Sequence, residues 1–181
     1  MPTITLIGYR GTGKSTVAVE LARRLGTRWC DADVELEAEL GLSIAEMIRS
    51  RGEQAFREEE SRLLKRLLSV ADGVLATGGG VVLAEDNRRL LRSQGGLVVW
   101  LMAPADVVRS RLAADPATAS RRPGLTGADP LAEVAKTIRL REPLYRECAG
   151  ICIDAAAAPP AAVAEAILAR LDTGHRAQGA D

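Results

Sequence analysis

Gly8-Tyr9-Arg10-Gly11-Thr12-Gly13-Lys14-Ser15-Thr16 lies between a short apolar run and a helical pattern, and it determines how the remaining sequence is interpreted. It has the spacing G-x-x-x-x-G-K-[ST]. Glycines let the backbone curl so that successive N–H groups face a phosphate, and the helix that follows adds the positive end of its dipole. Such a loop between a strand and a helix predicts a site for a nucleoside triphosphate.

Two side chains of this loop carry the expected chemistry. The ammonium group of Lys14 can reach the β- and γ-phosphates, and the hydroxyl of Ser15 can coordinate Mg²⁺ directly. The residues expected to contact the nucleotide are Gly11, Thr12, Gly13, Lys14, Ser15 and Thr16. The loop does not indicate what is done with the triphosphate.

The composition limits the class of protein. With 181 residues the chain is expected to form one domain, and 24 basic residues balance 24 acidic ones, which argues against a basic surface for nucleic acid. Cys30, Cys148 and Cys152 are expected to be buried free thiols, because a single histidine, His175, makes a zinc site improbable. We find no leader pattern and no apolar run of membrane-spanning length, so we expect a soluble cytoplasmic protein that binds neither membrane nor nucleic acid.

Apolar runs of strand length alternate with helical patterns along the whole chain. This alternation predicts an α/β fold with a parallel sheet covered on both faces. Ser43 with Glu46 predicts a capping box at the start of one helix, and Gly52 is expected to end that helix. The strands are predicted at residues 3–8, 29–31, 73–77, 97–101 and 150–154. The helices are predicted at 14–25, 34–40, 43–51, 53–70, 85–94, 104–114, 130–147 with an interruption at Pro143, and 160–172, followed by a flexible tail over 173–181.

Three polar or glycine-rich segments follow three of these strands directly: the loop at 8–16, Asp31 with Asp33, and 78–80. Ligands of parallel sheets bind beyond the carboxyl ends of the strands, so we expect these segments to form one site. One carboxylate near Ser15 suits Mg²⁺, mostly through water, and the other suits a substrate hydroxyl. The alternative is that Asp33 serves as an N-cap for the helix that follows.

Gly78, Gly79 and Gly80 are more glycines than a turn needs. Because three glycines in a row cost backbone entropy, they favour a segment whose N–H groups pass close to a ligand.

The arginines are more ambiguous. Arg57, taken by itself, is typical of an exposed ion pair with Glu53 or Glu60. Arg111, Arg121 and Arg122 lie in or just before a predicted mobile loop over 115–129, where they either close over a phosphoryl group or remain solvated. Arg141 is either an anchor for a carboxylate or phosphate, or an exposed helix charge.

Taken together, these segments make the chain resemble the shikimate kinase family. Its members are small P-loop kinases similar to nucleoside monophosphate kinases. The resemblance extends over about residues 3–172. It implies one kinase domain over 1–172, with a three-layer α/β/α fold, a five-stranded parallel sheet in the order 2-3-1-4-5 and a mobile lid. The segments that carry it are 8–16, Asp31-Ala32-Asp33, 52–60, Thr77-Gly78-Gly79-Gly80, Arg122-Pro123 and Arg141 with Pro143-Leu144-Tyr145.

The resemblance also implies an activity: phosphorylation of the 3-hydroxyl of shikimate by ATP with Mg²⁺, in the route to aromatic amino acids, by a monomeric enzyme. It implies that Lys14, Asp33 and Arg122 are catalytic, with Arg111 packing on adenine. Asp31 would bind Mg²⁺ through water beside Ser15, and segments 33–61 and 113–125 would close over shikimate and ATP. The residues implied to hold shikimate are Asp33, Arg57, Gly78, Gly79, Gly80 and Arg141.

The sequence departs from the family pattern at Gly124, where a bulkier residue is usual, and the preceding segment 113–120 is somewhat long. Residues 155–160, on the adenine side, also match poorly. A gluconate kinase would share the phosphate loop but not the triple glycine with this pair of arginines. A nucleotide-dependent regulatory switch or a degenerate binding module without kinase activity is a further alternative. The absence of Lys14, Ser15 or Asp33 would have supported it, but all three are present.

Overall fold

The structure is a computed structural model that describes residues 3–70, 72–114 and 130–178. A parallel sheet forms the centre of this part of the chain, with its five strands in the order β2-β3-β1-β4-β5. This is the expected topology, so the predicted α/β class and strand order are confirmed. The strands are β1 Ile4–Ile7, β2 Trp29–Asp31, β3 Val74–Ala76, β4 Leu97–Met102 and β5 Ile151–Asp154.

Helices cover both faces of the sheet, and the described residues contain two large apolar clusters, one on each face. On one face α1 and α7 pack against side chains such as Leu6 and Val99. On the other face α2, α3, α4 and α6 pack against Leu75 and Trp100. The helices are α1 Lys14–Leu25, α2 Ala32–Leu40, α3 Ile44–Val70, α4 Glu85–Gln94, α5 Ala105–Ala114, α6 Pro130–Cys148 and α7 Pro160–Gln178.

The central strand β1 is buried along its whole length, which is why its sequence is apolar without alternation. Its one polar side chain, Thr5, is fully buried and donates its hydroxyl hydrogen to the carbonyl oxygen of Gly95 at 2.6 Å. Strand β1 pairs with β3 on one side and β4 on the other, with Ile4 opposite both Val74 and Leu97. The ends of β1 and β3 therefore lie side by side, and the segments that follow them begin next to each other.

Gly52 ends a helix, as predicted: its φ of 84° and ψ of 165° are non-helical, so α3 consists of two helical parts that meet at a kink there. Two other predicted helix boundaries differ in the structure. Pro143 does not interrupt α6, which continues through the proline to Cys148. Helix α7 extends to Gln178, beyond the predicted end at residue 172. Packing of α6 on the sheet outweighs the local preference of the proline in the first of these two cases.

The cysteines are free thiols, but they are not all buried. Cys148 is buried and Cys30 is partly buried, and burial raises the pKa of each thiol to about 11. The prediction was wrong for Cys152, which is exposed. It lies on the edge strand β5, where alternate side chains face away from the core.

Among the helices of the described residues, none combines the length and the apolar character needed to cross a membrane.

The predicted capping box at the start of α3 is confirmed. The Ser43 N–H and hydroxyl both donate to Oε2 of Glu46, at 2.8 and 2.6 Å, and the Glu46 N–H donates back to Oγ of Ser43 at 3.2 Å. These hydrogen bonds lower the pKa of the Glu46 carboxyl. The box fixes where the chain turns from α2 into α3.

We predict that Ser43→Ala lowers the free energy of unfolding by about 1 kcal/mol, because the cap is lost. This corresponds to a fall of about 2–4 °C in the melting temperature for a chain of this size. Ser50→Ala is the matched control, since the Ser50 hydroxyl lies on the same helix but donates back to the backbone carbonyl oxygens of Glu46 and Met47 and forms no cap. Equal melting temperatures for Ser43→Ala and the unmodified chain would contradict the role of the box.

Candidate active site

The phosphate loop connects β1 to α1 in a conformation that requires glycine. Gly8, Gly11 and Gly13 have φ values of 142°, 78° and 91°. A Cβ atom on Gly8 would lie 2.5 Å from the carbonyl oxygen of Leu101, so a side chain there would push the loop away from β4. The loop is thus folded tightly against the ends of two strands, with α1 beginning at Lys14.

The Lys14 side chain folds back over the loop. Its Nζ donates to the carbonyl oxygens of Gly8 at 2.9 Å and Tyr9 at 3.0 Å, and the residue is only 8% exposed. The Thr12 hydroxyl donates to the same Tyr9 carbonyl at 2.8 Å. A positive charge is therefore held at the loop by backbone dipoles, close to where a bound phosphate would lie.

Ser15 and Asp31 meet at the edge of the sheet, as their positions after β1 and β2 predict. The Ser15 hydroxyl donates to Oδ2 of Asp31. The other carboxylate oxygen, Oδ1, accepts the N–H groups of Asp33 at 3.0 Å and Val34 at 3.4 Å. The N-cap of α2 is therefore Asp31 and not Asp33, which corrects the alternative considered for Asp33.

These two oxygen groups suit a Mg²⁺ ion in the chemistry of their donors, because Mg²⁺ prefers hard oxygen ligands. Among the described residues no three His, Cys, Asp or Glu side chains come together as a metal site. The remaining ligands of an ion at Ser15 and Asp31 would therefore be phosphate oxygens and water.

A cavity of about 430 Å³ brings the phosphate loop and the next strand ends together. Asp33, Thr77 and Gly79 line it opposite the loop, so a loop-bound phosphate and Asp33 share one space. Arg111 lines the same cavity, and its Nη2 donates to the carbonyl oxygens of Ala155 at 2.7 Å and Ala156 at 3.1 Å. The segment after β5, for which the sequence offered no assignment, thus contributes to the wall through Ala155, Ala158 and Pro160.

Arg57 lies against the triple glycine. A Cβ atom on Gly80 would lie 2.0 Å from Nη1 of Arg57, so the guanidinium occupies the space that a side chain would fill. The Arg57 guanidinium also stacks on the ring of Phe56, with Cζ 4.8 Å from the ring centroid. The acidic residues next to Arg57 in the sequence did not indicate this contact, because Gly80 is 23 residues further along the chain.

Arg57 also makes both of the ion pairs that its sequence neighbours suggest. Its Nη1 lies 2.7 Å from Oε2 of Glu60, and its Nη2 lies 3.0 Å from Oε1 of Glu53. Burial opposes the charge of the guanidinium, but Glu60 and then Glu53 outweigh it, so the pKa of Arg57 is raised. Its Nε–H is buried and has no hydrogen-bond partner among the described residues.

Arg141 reaches the same glycine segment from α6. Its Nη1 donates to the carbonyl oxygen of Gly79 at 3.1 Å, and its guanidinium lies over the ring of Tyr9, 5.7 Å from the centroid. The Tyr145 hydroxyl donates to the same Gly79 carbonyl at 2.6 Å. The sequence analysis assigned no contact to Tyr9 or Tyr145, although the spacing of Arg141 and Tyr145 by four residues places both on one helix face.

Of the predicted site residues, Arg121 and Arg122 lie outside the described residues, as do Gly124 and nearly all of the predicted lid over 113–125. The structure brings the others together in two groups. The phosphate loop, Asp31, Asp33 and Arg111 share the cavity, whereas Arg57 and Arg141 approach the glycine segment that forms part of its wall.

A phosphate loop with its lysine and serine, at the carboxyl edge of a parallel sheet in the order 2-3-1-4-5, defines a kinase of the P-loop class. Comparison with known proteins gives the family. The sequence model described as "Shikimate kinase" matches residues 10–172. The chain belongs to the shikimate kinase family.

Individual relatives agree over nearly the whole length. The shikimate kinase of Oleidesulfovibrio alaskensis is 45% identical over 168 residues, which are 93% of this chain and 96% of that one. Shikimate kinase 2 of Yersinia enterocolitica is 43% identical over 166 residues, 92% and 93% of the two chains. The structure of shikimate kinase from Acinetobacter baumannii in complex with shikimate has a TM-score of 0.88 at 33% identity, and covers 96% of this chain and 94% of its own.

Proposed function

We propose that the cavity at the carboxyl edge of the sheet is where this chain performs the reaction of its family. The enzyme transfers the γ-phosphoryl group of ATP to the 3-hydroxyl of shikimate, which gives shikimate 3-phosphate and ADP in aromatic amino acid biosynthesis. The observation that carries the assignment of the site is that the phosphate loop and Asp33 line one cavity. A donor phosphate and an acceptor hydroxyl can therefore meet there without water between them.

On the donor side, the loop N–H groups and Lys14 would hold the phosphates of ATP. Lys14 would exchange its contacts with the Gly8 and Tyr9 carbonyls for phosphate oxygens. Ser15 would bind Mg²⁺ directly and Asp31 through water. An ion held there would offset negative charge on the phosphates as the phosphoryl group moves.

On the acceptor side, Asp33 would accept the proton of the 3-hydroxyl while the hydroxyl oxygen attacks the γ-phosphorus and the bond to the leaving ADP oxygen breaks. Arg57 and Arg141 would bind the carboxylate of shikimate, and Gly78, Gly79 and Gly80 would line its pocket. The proximity of both guanidinium groups to one glycine segment supports this pairing. Arg57 Nε–H, which is buried among the described residues without a partner, is a donor suited to such a ligand.

Closure of the site would involve two segments. Residues 33–61 would close over shikimate, and residues 113–125, with Arg122 at the phosphates, would close over ATP and exclude water. Arg111 would pack on adenine, beside the segment after β5 to which it is hydrogen bonded. We treat residues 1–172 as one kinase domain that acts as a cytoplasmic monomer, as is expected for the family.

A coupled assay of ADP release tests the proposal directly. We expect ADP release that depends on both Mg²⁺ and shikimate, and none above background with gluconate in place of shikimate. ADP release that is independent of shikimate would instead indicate a nucleotide hydrolase, and no ADP release with either acceptor would indicate a nucleotide-binding module without kinase activity.

We predict that Arg57→Ala raises the KM for shikimate by at least about 30-fold, since a charged partner of a buried carboxylate is worth roughly 2–5 kcal/mol. The KM for ATP should change little, because Arg57 does not contact the phosphate loop in the contacts described above. The measurement is steady-state kinetics with each substrate varied in turn, on shikimate and on its carboxamide.

The carboxamide lacks the negative charge, so the effect of Arg57→Ala on its KM should be much smaller. Arg62→Ala is the matched control, because Arg62 lies on the same helix and pairs with a glutamate three residues away, but is 72% exposed. The assignment of Arg57 fails if the variant weakens shikimate and the carboxamide equally, or weakens neither.

We predict that Asp31→Asn raises the Mg²⁺ concentration needed for half-maximal activity at a fixed ATP concentration, since an amide oxygen is a weaker partner for hydrated Mg²⁺ than a carboxylate. Asparagine is as good an N-cap as aspartate, so the melting temperature should change little. Asp154→Asn is the matched control, because it makes the same change at the end of β5, where the carboxylate accepts the N–H of Ala156. An unchanged Mg²⁺ dependence in Asp31→Asn would remove Asp31 from the proposed metal site.

A further inference from the structure

The Gly79 carbonyl oxygen accepts hydrogen bonds from two side chains of the same helix. Tyr145 Oη donates at 2.6 Å and Arg141 Nη1 donates at 3.1 Å. A carbonyl oxygen has two lone pairs, so both donors can be accommodated at once. The shorter contact is the one made by the tyrosine.

Tyr145 is firmly held. The residue is 1% exposed, and its ring stacks on Trp100 with centroids 5.7 Å apart and planes inclined by 21°. The guanidinium of Arg146 lies over the Trp100 ring, 5.4 Å from its centroid. The hydroxyl of Tyr145 is thus fixed in position by packing, and its hydrogen bond to Gly79 needs little further ordering.

Arg141, in contrast, has a second task in the proposed function. When its guanidinium binds an anion, its contact with Gly79 is weakened or lost. The Gly79 carbonyl, buried at the wall of the cavity, would then lack a donor if Arg141 were its only partner, and an unsatisfied buried carbonyl is costly.

We propose that Tyr145 is a positioning residue that keeps the Gly79 carbonyl satisfied and thereby leaves Arg141 available for the carboxylate of the substrate. Tyr145 acts through Gly79 and Arg141 and does not itself touch the substrate. The inference rests on the proposed role of Arg141. It adds a residue to the acceptor site that binds no ligand but sets the strength with which Arg141 binds one.

Tyr145→Phe tests the inference, because it keeps the ring stacked on Trp100 and removes only the hydroxyl. Arg141 then becomes the sole described donor to Gly79 and is held back from the substrate. We expect the KM for shikimate to rise about tenfold, as for the loss of a hydrogen bond that supports a charged group. The KM for ATP, and the KM for the carboxamide of shikimate, should each change less than about twofold, because neither depends on a carboxylate bound by Arg141.

Cys148→Ala is the matched control, since Cys148 is buried on the same helix one turn beyond and packs in the core without contacting Gly79. Cys148→Ala should lower the melting temperature without changing the ratio of the KM for shikimate to the KM for its carboxamide. The inference is overturned if Tyr145→Phe raises the KM for shikimate and the KM for its carboxamide equally, or raises neither. If that variant is unstable at 25 °C, the same ratio is obtained from calorimetric binding of shikimate and its carboxamide at 10 °C.

Arg141→Ala separates this inference from the proposed function. If Arg141 binds the carboxylate, Arg141→Ala alone reduces the preference for shikimate over its carboxamide, and adding Tyr145→Phe to it causes no further reduction. If Arg141→Ala leaves the preference unchanged, the proposed role of Arg141 is wrong. If Arg141→Ala reduces the preference but Tyr145→Phe does not, only the inference about Tyr145 is wrong.

Discussion

The close approach of two glycine segments at the ends of β1 and β3 is the constraint on which the site depends. A Cβ atom on Gly79 would lie 3.0 Å from the backbone nitrogen of Arg10 in the phosphate loop. On Gly80 it would collide with the guanidinium of Arg57. Because β1 and β3 are neighbours in the sheet, only residues without side chains let the donor loop and the acceptor wall share one cavity. Two of the three glycines are thus explained by close contacts, Gly79 by one with backbone and Gly80 by one with a charged side chain.

Four cationic groups in the described part of the site are each held by acceptors of the protein itself. Lys14 donates to carbonyl oxygens of its own loop, Arg111 to those after β5, and Arg141 to Gly79. Arg57 is paired with two glutamates. Such partners lower the cost of burying positive charge, and they fix the position of each group before any anion binds. These partners also compete with the ligand. The affinity for an anion therefore depends on the difference between the contacts that each cation makes with the anion and the contacts with the protein that it gives up.

Much of this arrangement follows from the order of residues along the chain. The alternation of strands and helices predicted the α/β class, and the rule that sites lie beyond the strand ends brought Ser15 and Asp31 together although they are 16 residues apart. The choice of N-cap did not follow, because Asp31 and Asp33 have the same chemistry and only the backbone bend after β2 decides between them. The strand order was inferred from resemblance, since alternation does not specify which strands are neighbours.

The contacts of α6 could not be predicted, and the reason lies at Pro143. A proline inside a helix removes a backbone hydrogen bond and crowds the preceding turn, so the local sequence favoured an interruption. The helix nevertheless continues, and Arg141 and Tyr145, on either side of the proline, both reach Gly79. Side chains four residues apart share a face only if the helix between them is intact. An interruption at Pro143 would have separated the two donors, so the continuity of α6 through the proline is what places both of them at the acceptor wall.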